Sequence, residues 1–555
     1  MSILCLLICP LAPGQDQPTV TRDRNAGAPA CLLAGAITDP ETSLSLAAVT
    51  LSELDPALDS QGLWRRLGAL LGQPPLDAVD TSKPVRIFCL DPRTSKHPEV
   101  IEFAASDLAA VRRSVSAKAA EPDPWCFAEN DGRVILSRDP RAVSVAETIC
   151  PLSPDVRPDS LPGQFRLWVN LPLLINAFES DLSEQIVAMK ARMRESMSRL
   201  GAGEAESRQV EDELDLAVGL LRQVKSLDIA AEVARDAAII RLRTTAAPGS
   251  ILASLAGQPA CPGALMRDCP DDAYIVAWSN ISFGAALQRH IGLLLQMAFG
   301  ARAGTPGNAE AYHGGEILFG LFPASSGSGV EMLEIRSGPS ARDLVDRWSR
   351  WSAPEGPASS PVRLTEVPAP SGPFPARRLA HLAFDPGALG KPGGDILRAA
   401  FGPRPMAALA EGSSSTVMVI SADPLARLSC LDAVSTGAKP ALDAQHEFRR
   451  TFEGLCPMPN ALIYISPECI RRWLEIARID LPASPSERIG IGVAVTLRAG
   501  GEFLIEVALP SATLRDALHT SRGRSEGEVT DKGRPAQRRS LPSEMRNLAP
   551  VGSQQ

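Results

Sequence analysis

The sequence predicts an α+β fold in which tandem degenerate β-α-β-β-α repeats form antiparallel sheets with helices packed on one face, plus a helical-hairpin insertion. Three observations lead there. First, two alternating strands joined by a polar or Gly-containing turn and followed by a helical stretch recur at 227–255, 317–348 and 489–518. That is the pattern of a hairpin feeding a helix, and self-similarity of this kind signals a modular architecture. Second, Leu167-Trp168-Val169-Asn170-Leu171 matches Ala277-Trp278-Ser279-Asn280-Ile281, and Ile463-Tyr464-Ile465-Ser466 fits the same frame more loosely. A side chain that accepts a backbone N–H is what a strand-to-helix corner requires. Third, Ile135-Leu136-Ser137-Arg138-Asp139-Pro140 echoes Val419-Ile420-Ser421-Ala422-Asp423-Pro424, a strand, an Asp cap and a Pro in the first helical turn.

Taken in order, the chain opens with an apolar run from Ile3 to Leu11, and then Ala12 and Gly14 stand at -3 and -1 of a cut before Gln15. That order predicts a signal peptide over 1–14 and an exported, periplasmic or secreted protein, although no Lys or Arg precedes the run; a cytoplasmic protein is the alternative. The first α+β unit spans 28–150, with Ala47-Ala48-Val49-Thr50 taken as its opening strand. Four prolines between Cys150 and Gly163 mark a boundary. The second unit, 164–258, carries Ser250 where an N-cap belongs and holds the helical hairpin, 183–225. In that hairpin Ile186, Met189, Met193, Met197 and Leu200 form one stripe and Val210, Leu214, Val218, Leu221 and Val224 another, broken by Gly201-Ala202-Gly203. Such stripes pack as core or serve an adaptable Met-rich surface, and core is the expectation. The third unit, 270–352, has Ser340 at the cap position. A Pro-rich linker, 353–377, is expected to divide the chain most cleanly. A degenerate fourth unit, 378–437, and a fifth, 458–521 with Ser511 at its cap, complete the repeats. The polar stretch 522–555 reads as a disordered tail.

Composition excludes several function classes. The 555 residues are 45% hydrophobic and 22% charged, ordinary values for a soluble globular chain. A net charge of -8 argues against nucleic acid as partner. Only eight of the 56 basic residues are Lys, which with the abundance of Ala, Gly and Pro reflects GC-rich coding and not a phosphate-binding surface. No stretch reaches the ~20 apolar residues of a membrane span; the longest, 281–299, is interrupted by Gln288, Arg289, His290 and Gln296.

Local catalytic and metal motifs are missing. The six His are 97, 290, 313, 381, 446 and 519, no two closer than 23 residues, so no paired-His zinc motif exists. There is no nucleophile elbow and no P-loop, and Gly490-Ile491-Gly492 lies inside an alternating strand. Two sequences come nearest to chemistry. His313 in Tyr312-His313-Gly314-Gly315-Glu316 could act with a remote nucleophile, but it reads as a loop. Asp268, Asp271 and Asp272 could offer oxygens to Ca²⁺, but the full loop pattern is absent and a solvated turn is expected. No catalytic, cofactor-binding or metal residue is therefore assigned, and no cofactor is expected. Of eleven Cys, nine lie beyond the signal segment. In an exported chain the separations suggest Cys126 with Cys150, Cys261 with Cys269, Cys456 with Cys469 and, more loosely, Cys31 with Cys89, leaving Cys430 free.

On these corners and repeats the layout, over 44–520, resembles uncharacterised exported α+β repeat proteins of GC-rich, planctomycete-like bacteria. The resemblance implies no activity and carries no functional residue. The function expected is non-enzymatic binding or scaffolding at the cell envelope, toward an envelope protein or polymer as partner. The alternative is a hydrolase whose site is assembled from remote residues between the two halves. A binding role predicts a broad apolar or grooved surface.

Overall fold

The structure is a computed structural model, and it describes residues 31–51, 78–95, 97–117, 124–144, 149–157, 160–199, 204–233, 237–259, 263–282, 315–324, 329–353, 362–368, 376–384, 398, 400–412, 414–476 and 489–510. The protein is mixed α+β, an open antiparallel sheet of 18 strands with eleven α-helices among the described residues. Strand β1 (Cys31–Ile37) leads to α1 (Pro40–Leu51), then β2 (Val85–Leu90), β3 (Glu99–Ala104), α2 (Leu108–Ala117), β4 (Cys126–Asn130), β5 (Arg133–Ser137) and α3 (Pro140–Ser144). Next come β6 (Phe165–Asn170), α4 (Leu171–Ala177), α5 (Glu179–Arg199), α6 (Glu204–Leu221), β7 (Val224–Val233), β8 (Ala237–Ala246) and α7 (Ile251–Ala256). They are followed by β9 (Ile275–Ser279), β10 (Ile317–Pro323), β11 (Val330–Ser337), α8 (Ala341–Ser352), β12 (Val362–Val367), β13 (Ala376–Phe384), β14 (Met406–Glu411) and β15 (Ser415–Ser421). Last are α9 (Pro424–Ser435), α10 (His446–Thr451), β16 (Ala461–Ile465), α11 (Pro467–Ile476), β17 (Ile491–Arg498) and β18 (Glu502–Pro510).

Every strand pair is antiparallel, and the pairings run β4-β5-β3-β2-β1-β6-β7-β8-β18-β17-β16-β9-β10-β11-β15-β14-β13-β12. Three junctions are made across long sequence separations: β1 with β6, β9 with β16, and β8 with β18. The last strands therefore sit in the middle of the sheet, between β8 and β9.

Corner chemistry places the helices. The Asn170 side chain accepts from Leu173 N at 3.2 Å, Ser250 from Ala253 N at 3.1 Å and Ser466 from Cys469 N at 3.2 Å. Asp423 accepts from Ala426 N at 3.3 Å with Pro424 in the first turn. Each satisfies an orphan donor where a strand ends and a helix begins. Ser340 departs from this: its hydroxyl donates back to the Ser337 carbonyl at 2.8 Å, and a short 3-10 turn precedes α8. Ser511 lies outside the described residues, as do the hairpin break 201–203, the signal segment 1–14 and the tail 522–555.

Residues directly opposite in an antiparallel pair share a face, so register assigns every side chain to one of two faces. The first holds Glu102, Arg86, Ala36, Arg166, Ala230, Arg241, Glu506, Ala494, Leu462, Trp278, Leu318 and Ile335, one row across twelve strands. On it Trp278, Leu318, Phe322 and Leu333 pack with Leu428 and Leu431 of α9 and Phe448 of α10. On the second face Ile101, Phe103, Val134 and Leu136 pack with Leu44 of α1 and Val111 of α2, and Leu167 and Val169 with α4 and Leu252 of α7. Further along that face, Leu382, Leu409, Met418 and Ile420 pack with Leu344 and Trp348 of α8.

Helices thus cover both faces, which corrects the expectation of helices on one. The reason is visible in the strands. Val134-Ile135-Leu136 and Ala407-Ala408-Leu409-Ala410 are buried without alternation, as strands covered on both sides must be.

Other expectations are corrected as well. Ala47–Thr50 belong to α1, whose entry is set by Asp39, at φ 49, accepting from Thr42 N at 3.3 Å, and by Pro40; the opening strand is β1. Inside the Pro-rich 353–377 stretch lies β12, which forms one end of the sheet, with Pro368 just outside the strand, where it removes no ladder hydrogen bond. The Pro-rich segment 150–163 is laid over the first face: Arg86 grips Asp155 at 2.7 Å and Arg166 donates to the Pro154 carbonyl and Ser160. In the hairpin, Lys190–Asp215 and Arg194–Glu211 ion pairs at 2.6 Å join α5 to α6. Of the stripes, Ile186, Met193, Leu214 and Val218 are only half-buried and Met189 and Leu221 are exposed, so these add nothing to the sheet's core.

Candidate functional site

The informative surface is the second face of the six central strands β8, β18, β17, β16, β9 and β10. Register aligns Ile240, Val507, Val493, Ile463, Ala277 and Phe319 as one row across them. The adjacent row is Leu242, Ile505, Val495, Ala461, Ser279 and Ile317. On the other side lie Ile491, Ile465, Ile275 and Leu321. No charged side chain occurs in these rows.

The contrast in burial is sharp. On the flanks of the same face Leu167, Val169, Met418 and Ile420 are buried beneath helices. In the three central rows no residue is buried; Ile240 is 38% and Ile463 43% exposed. On the opposite face of the same strands Ala494, Glu506, Tyr464, Val276 and Trp278 are buried. Large exposed apolar patches in general mark interaction sites, which makes this face the candidate. Its sequence signal was present: β17 alternates Ile491, Val493 and Val495 with the small Gly492 and Ala494, and β18 alternates Ile505 and Val507 with Glu506. Read singly, each strand gives no sign that six such rows lie side by side.

Buried charge lies on the first face and, on the second, beneath α8, where Arg336 pairs with Glu334 at 2.7 Å. Arg241 bonds Glu506 at 3.2 Å and Glu232 at 2.9 Å, Arg243 bonds Asp228 at 3.1 Å, and Arg427 bonds Glu331 at 2.6 Å and Asp272 at 2.8 Å. Arg427 also stacks 4.5 Å above the Phe322 ring, docking α9. The three Arg, Glu506, Asp228 and Glu331 are buried and paired, as buried charges must be, while Glu232 and Asp272 reach in from the surface.

The weaker leads resolve structurally. The Glu316 carboxylate accepts from Trp278 Nε1 at 2.9 Å and Leu265 N at 3.0 Å, so it secures the core; 312–314, with His313, lies outside the described residues. Burial and the neighbouring Glu316 raise the Asp268 carboxyl above its usual range, Asp272 is held by Arg427, and the Asp271 carbonyl accepts from Gln445. Among the described residues no cluster of three His, Cys, Asp or Glu could hold a metal. His381 and His446 are exposed on separate elements and His97 lies on a third; His290 and His519 are outside the described residues. Cys31, Cys89, Cys126, Cys269, Cys430, Cys456 and Cys469 are free thiols, so none of the four expected disulfides is present. For Cys31 and Cys89 register explains it: Cys31 opposes Leu90, which places it on the first face, and Cys89 points to the second. Trp278 is buried with its ring nitrogen on Glu316, and the Asn280 side chain donates to the Pro259 carbonyl at 3.3 Å, whereas Asn170 caps a helix.

No family model, curated protein or solved structure matches the chain. No helix among the described residues is long and apolar enough to cross a membrane.

Proposed function

We propose that this is an exported, non-enzymatic repeat protein with a binding or scaffolding role at the cell envelope, acting through the uncharged face of its central strands. One observation carries the reading: among the described residues, two adjacent rows across six strands and a third across four are half-exposed, mostly aliphatic and free of charge, on a sheet whose flanks are covered by helices. In support of tandem units, β6-α4-β7-β8-α7 and β16-α11-β17-β18 share an element order, and β9, β10, β11 and α8 fit it. Binding is tested with the apolar dye 8-anilinonaphthalene-1-sulfonate on the purified full chain. Saturable fluorescence that falls sharply in Ile463→Lys and Ile240→Lys, with far-UV circular dichroism unchanged, is expected. Absence of dye binding overturns the face as a binding surface. Export is tested by the intact mass of protein from its host: a start at Gln15 is expected, and a mass retaining residues 1–14 overturns it.

A further inference from the structure

We infer that Cys430 and Lys439 form a modification site, a thiol–amine pair that a small hydroperoxide converts into a covalent sulfur–nitrogen link across the end of α9. Geometry is the first reason. The Lys439 ammonium donates to the Cys430 Sγ at 3.6 Å, although nine positions separate the two residues. The end of α9 sets that contact. Thr436 N and Gly437 N donate to the Asp432 and Val434 carbonyls. Gly437 takes φ 74, a left-handed conformation that glycine adopts without strain, and Lys439 N then returns to the Ala433 carbonyl at 2.9 Å. The chain leaving the helix is thus folded back along its last turns, and the side chain of Lys439 meets that of Cys430. The helix itself is anchored, with Leu428 and Leu431 buried in the core on the first face, so the thiol end of the pair is held in place.

Chemistry is the second reason. The thiolate is the nucleophile, and reactive thiols are partly exposed and stand beside a cation. Cys430 is half-buried and accepts from an ammonium, whereas the thiols of Cys31, Cys89 and Cys269 donate to the Leu33, Leu90 and Pro270 carbonyls. The peroxide supplies the oxidising equivalents. The Cys430 sulfur attacks it, an S–O bond forms as the O–O bond breaks, and the thiol proton leaves with the departing hydroxide as water. Sulfur is thereby oxidised by two electrons to a sulfenic acid. Lys439 gives its ammonium proton to solvent, and the amine attacks the sulfenic sulfur. The S–N bond forms, the S–O bond breaks, and a second water carries off the hydroxyl with one proton from nitrogen. The product is two hydrogens lighter than the reduced chain. Sulfenic acids condense in this way with backbone nitrogens, and here a side-chain nitrogen is already in contact.

The test treats the full chain with hydrogen peroxide, alkylates it with iodoacetamide and maps its tryptic peptides by mass. Cleavage after Arg427 and Arg449 leaves both residues in one peptide, because Lys439 precedes Pro440, and Cys430 is the sole cysteine in it. The expected product is an unalkylated form of that peptide two hydrogens lighter, which dithiothreitol returns to an alkylatable thiol. In Lys439→Gln and in Lys439→Arg the lighter form is expected to vanish, with the sulfinic acid of Cys430 in its place. Lys439→Arg keeps the positive charge and so separates the chemistry of the amine from its field. Cys430→Ser is expected to remove both products. Persistence of the lighter form in Lys439→Gln would put the link on a backbone nitrogen and overturn the inference. So would a native chain in which Cys430 stays reduced under peroxide, or gains oxygen with no lighter form.

Discussion

Arg241 and Glu506 stand opposite each other where β8 meets β18, guanidinium nitrogen 3.2 Å from carboxylate oxygen, both buried and 265 positions apart in the chain. The same guanidinium reaches the Pro162 and Gly454 carbonyls, and the other Glu506 oxygen accepts from Cys456 N at 2.7 Å. The pair thus ties the two halves of the sheet and two crossing segments. Removing one member leaves the other charge buried. Glu506→Ala is expected to cost about 3–5 kcal/mol, read as a lowered urea midpoint, whereas Arg241→Met with Glu506→Leu recovers most of it. A cost near zero for Glu506→Ala would mean the junction is held by its ladder alone.

Trp348 fixes α8 to the second face. It is fully buried among Leu364, Leu382 and Met418, and its ring nitrogen donates to Glu366 on β12 at 2.8 Å. Trp348→Ala is expected to destabilise by about 3–5 kcal/mol and Trp348→Phe by less. Calorimetry on both variants checks the order; equal losses would show that the hydrogen bond, not the ring volume, does the holding.

Acid should loosen the sheet on both faces, at Asp155 on the first and at Glu334, beneath α8, on the second. Burial pushes the Asp155 carboxyl up, but the Arg86 guanidinium and the Ser153 hydroxyl outweigh it and hold it below the usual range. At Glu334 burial again pushes up, and Arg347 and Arg336 prevail. A carboxyl depressed in the folded state stabilises above its unfolded value of about 4, and that stability is lost as pH falls through the folded value. Unfolding midpoints are therefore expected to fall below pH ~4, with a shallower fall in Asp155→Asn. An unchanged slope in that variant would remove Asp155 from the account.

Thiol chemistry should be slow in the native protein. Burial pushes Cys31 up to about 12, Cys89 to about 11 and Cys469 to about 11. The thiolate is the nucleophile, so iodoacetamide at pH 8 is expected to leave these three unmodified until denaturant is added. Peptide mass mapping reads it directly, and rapid native labelling of Cys31 would mean that the first face opens.

Excision of the helical hairpin should be tolerated. Neither α5 nor α6 contributes a buried described side chain, and their ion pairs run from one to the other. Replacing 180–221 by a short Gly-Ser turn is expected to leave the melting temperature within a few degrees. Loss of folding would show that the hairpin orders β6 and β7.

What the sequence disclosed was local. Asn170, Ser250, Ser466 and Asp423 marked helix starts because a cap is a one-residue chemical requirement. Ala47–Thr50 misled because a short apolar run suits a strand or a buried helix equally, and its decisive neighbours, Asp39 and Pro40, stand a turn upstream. Helices on both faces, β12 within the Pro-rich stretch, and the free thiols all depend on which strands become neighbours. So does the uncharged face, assembled by pairing β8 with β18 and β9 with β16. Such pairings join distant parts of the chain, and no window of sequence contains both partners.

The placement of the last three strands between β8 and β9 has a consequence for biosynthesis. Arg241 must wait for Glu506, 265 positions later, before its strand acquires a neighbour on that side. At translation rates of about 5–20 residues per second that is roughly 13 to 53 s. Throughout it β8 stands as an open edge carrying Ile240 and Leu242, and β9, with Ile275, stands open until β16 is made, each able to capture a strand from a nascent neighbour. Polysomes making this chain are therefore a setting in which unpaired strands from several copies coexist, and β16 to β18 act as the closing piece that ends the hazard.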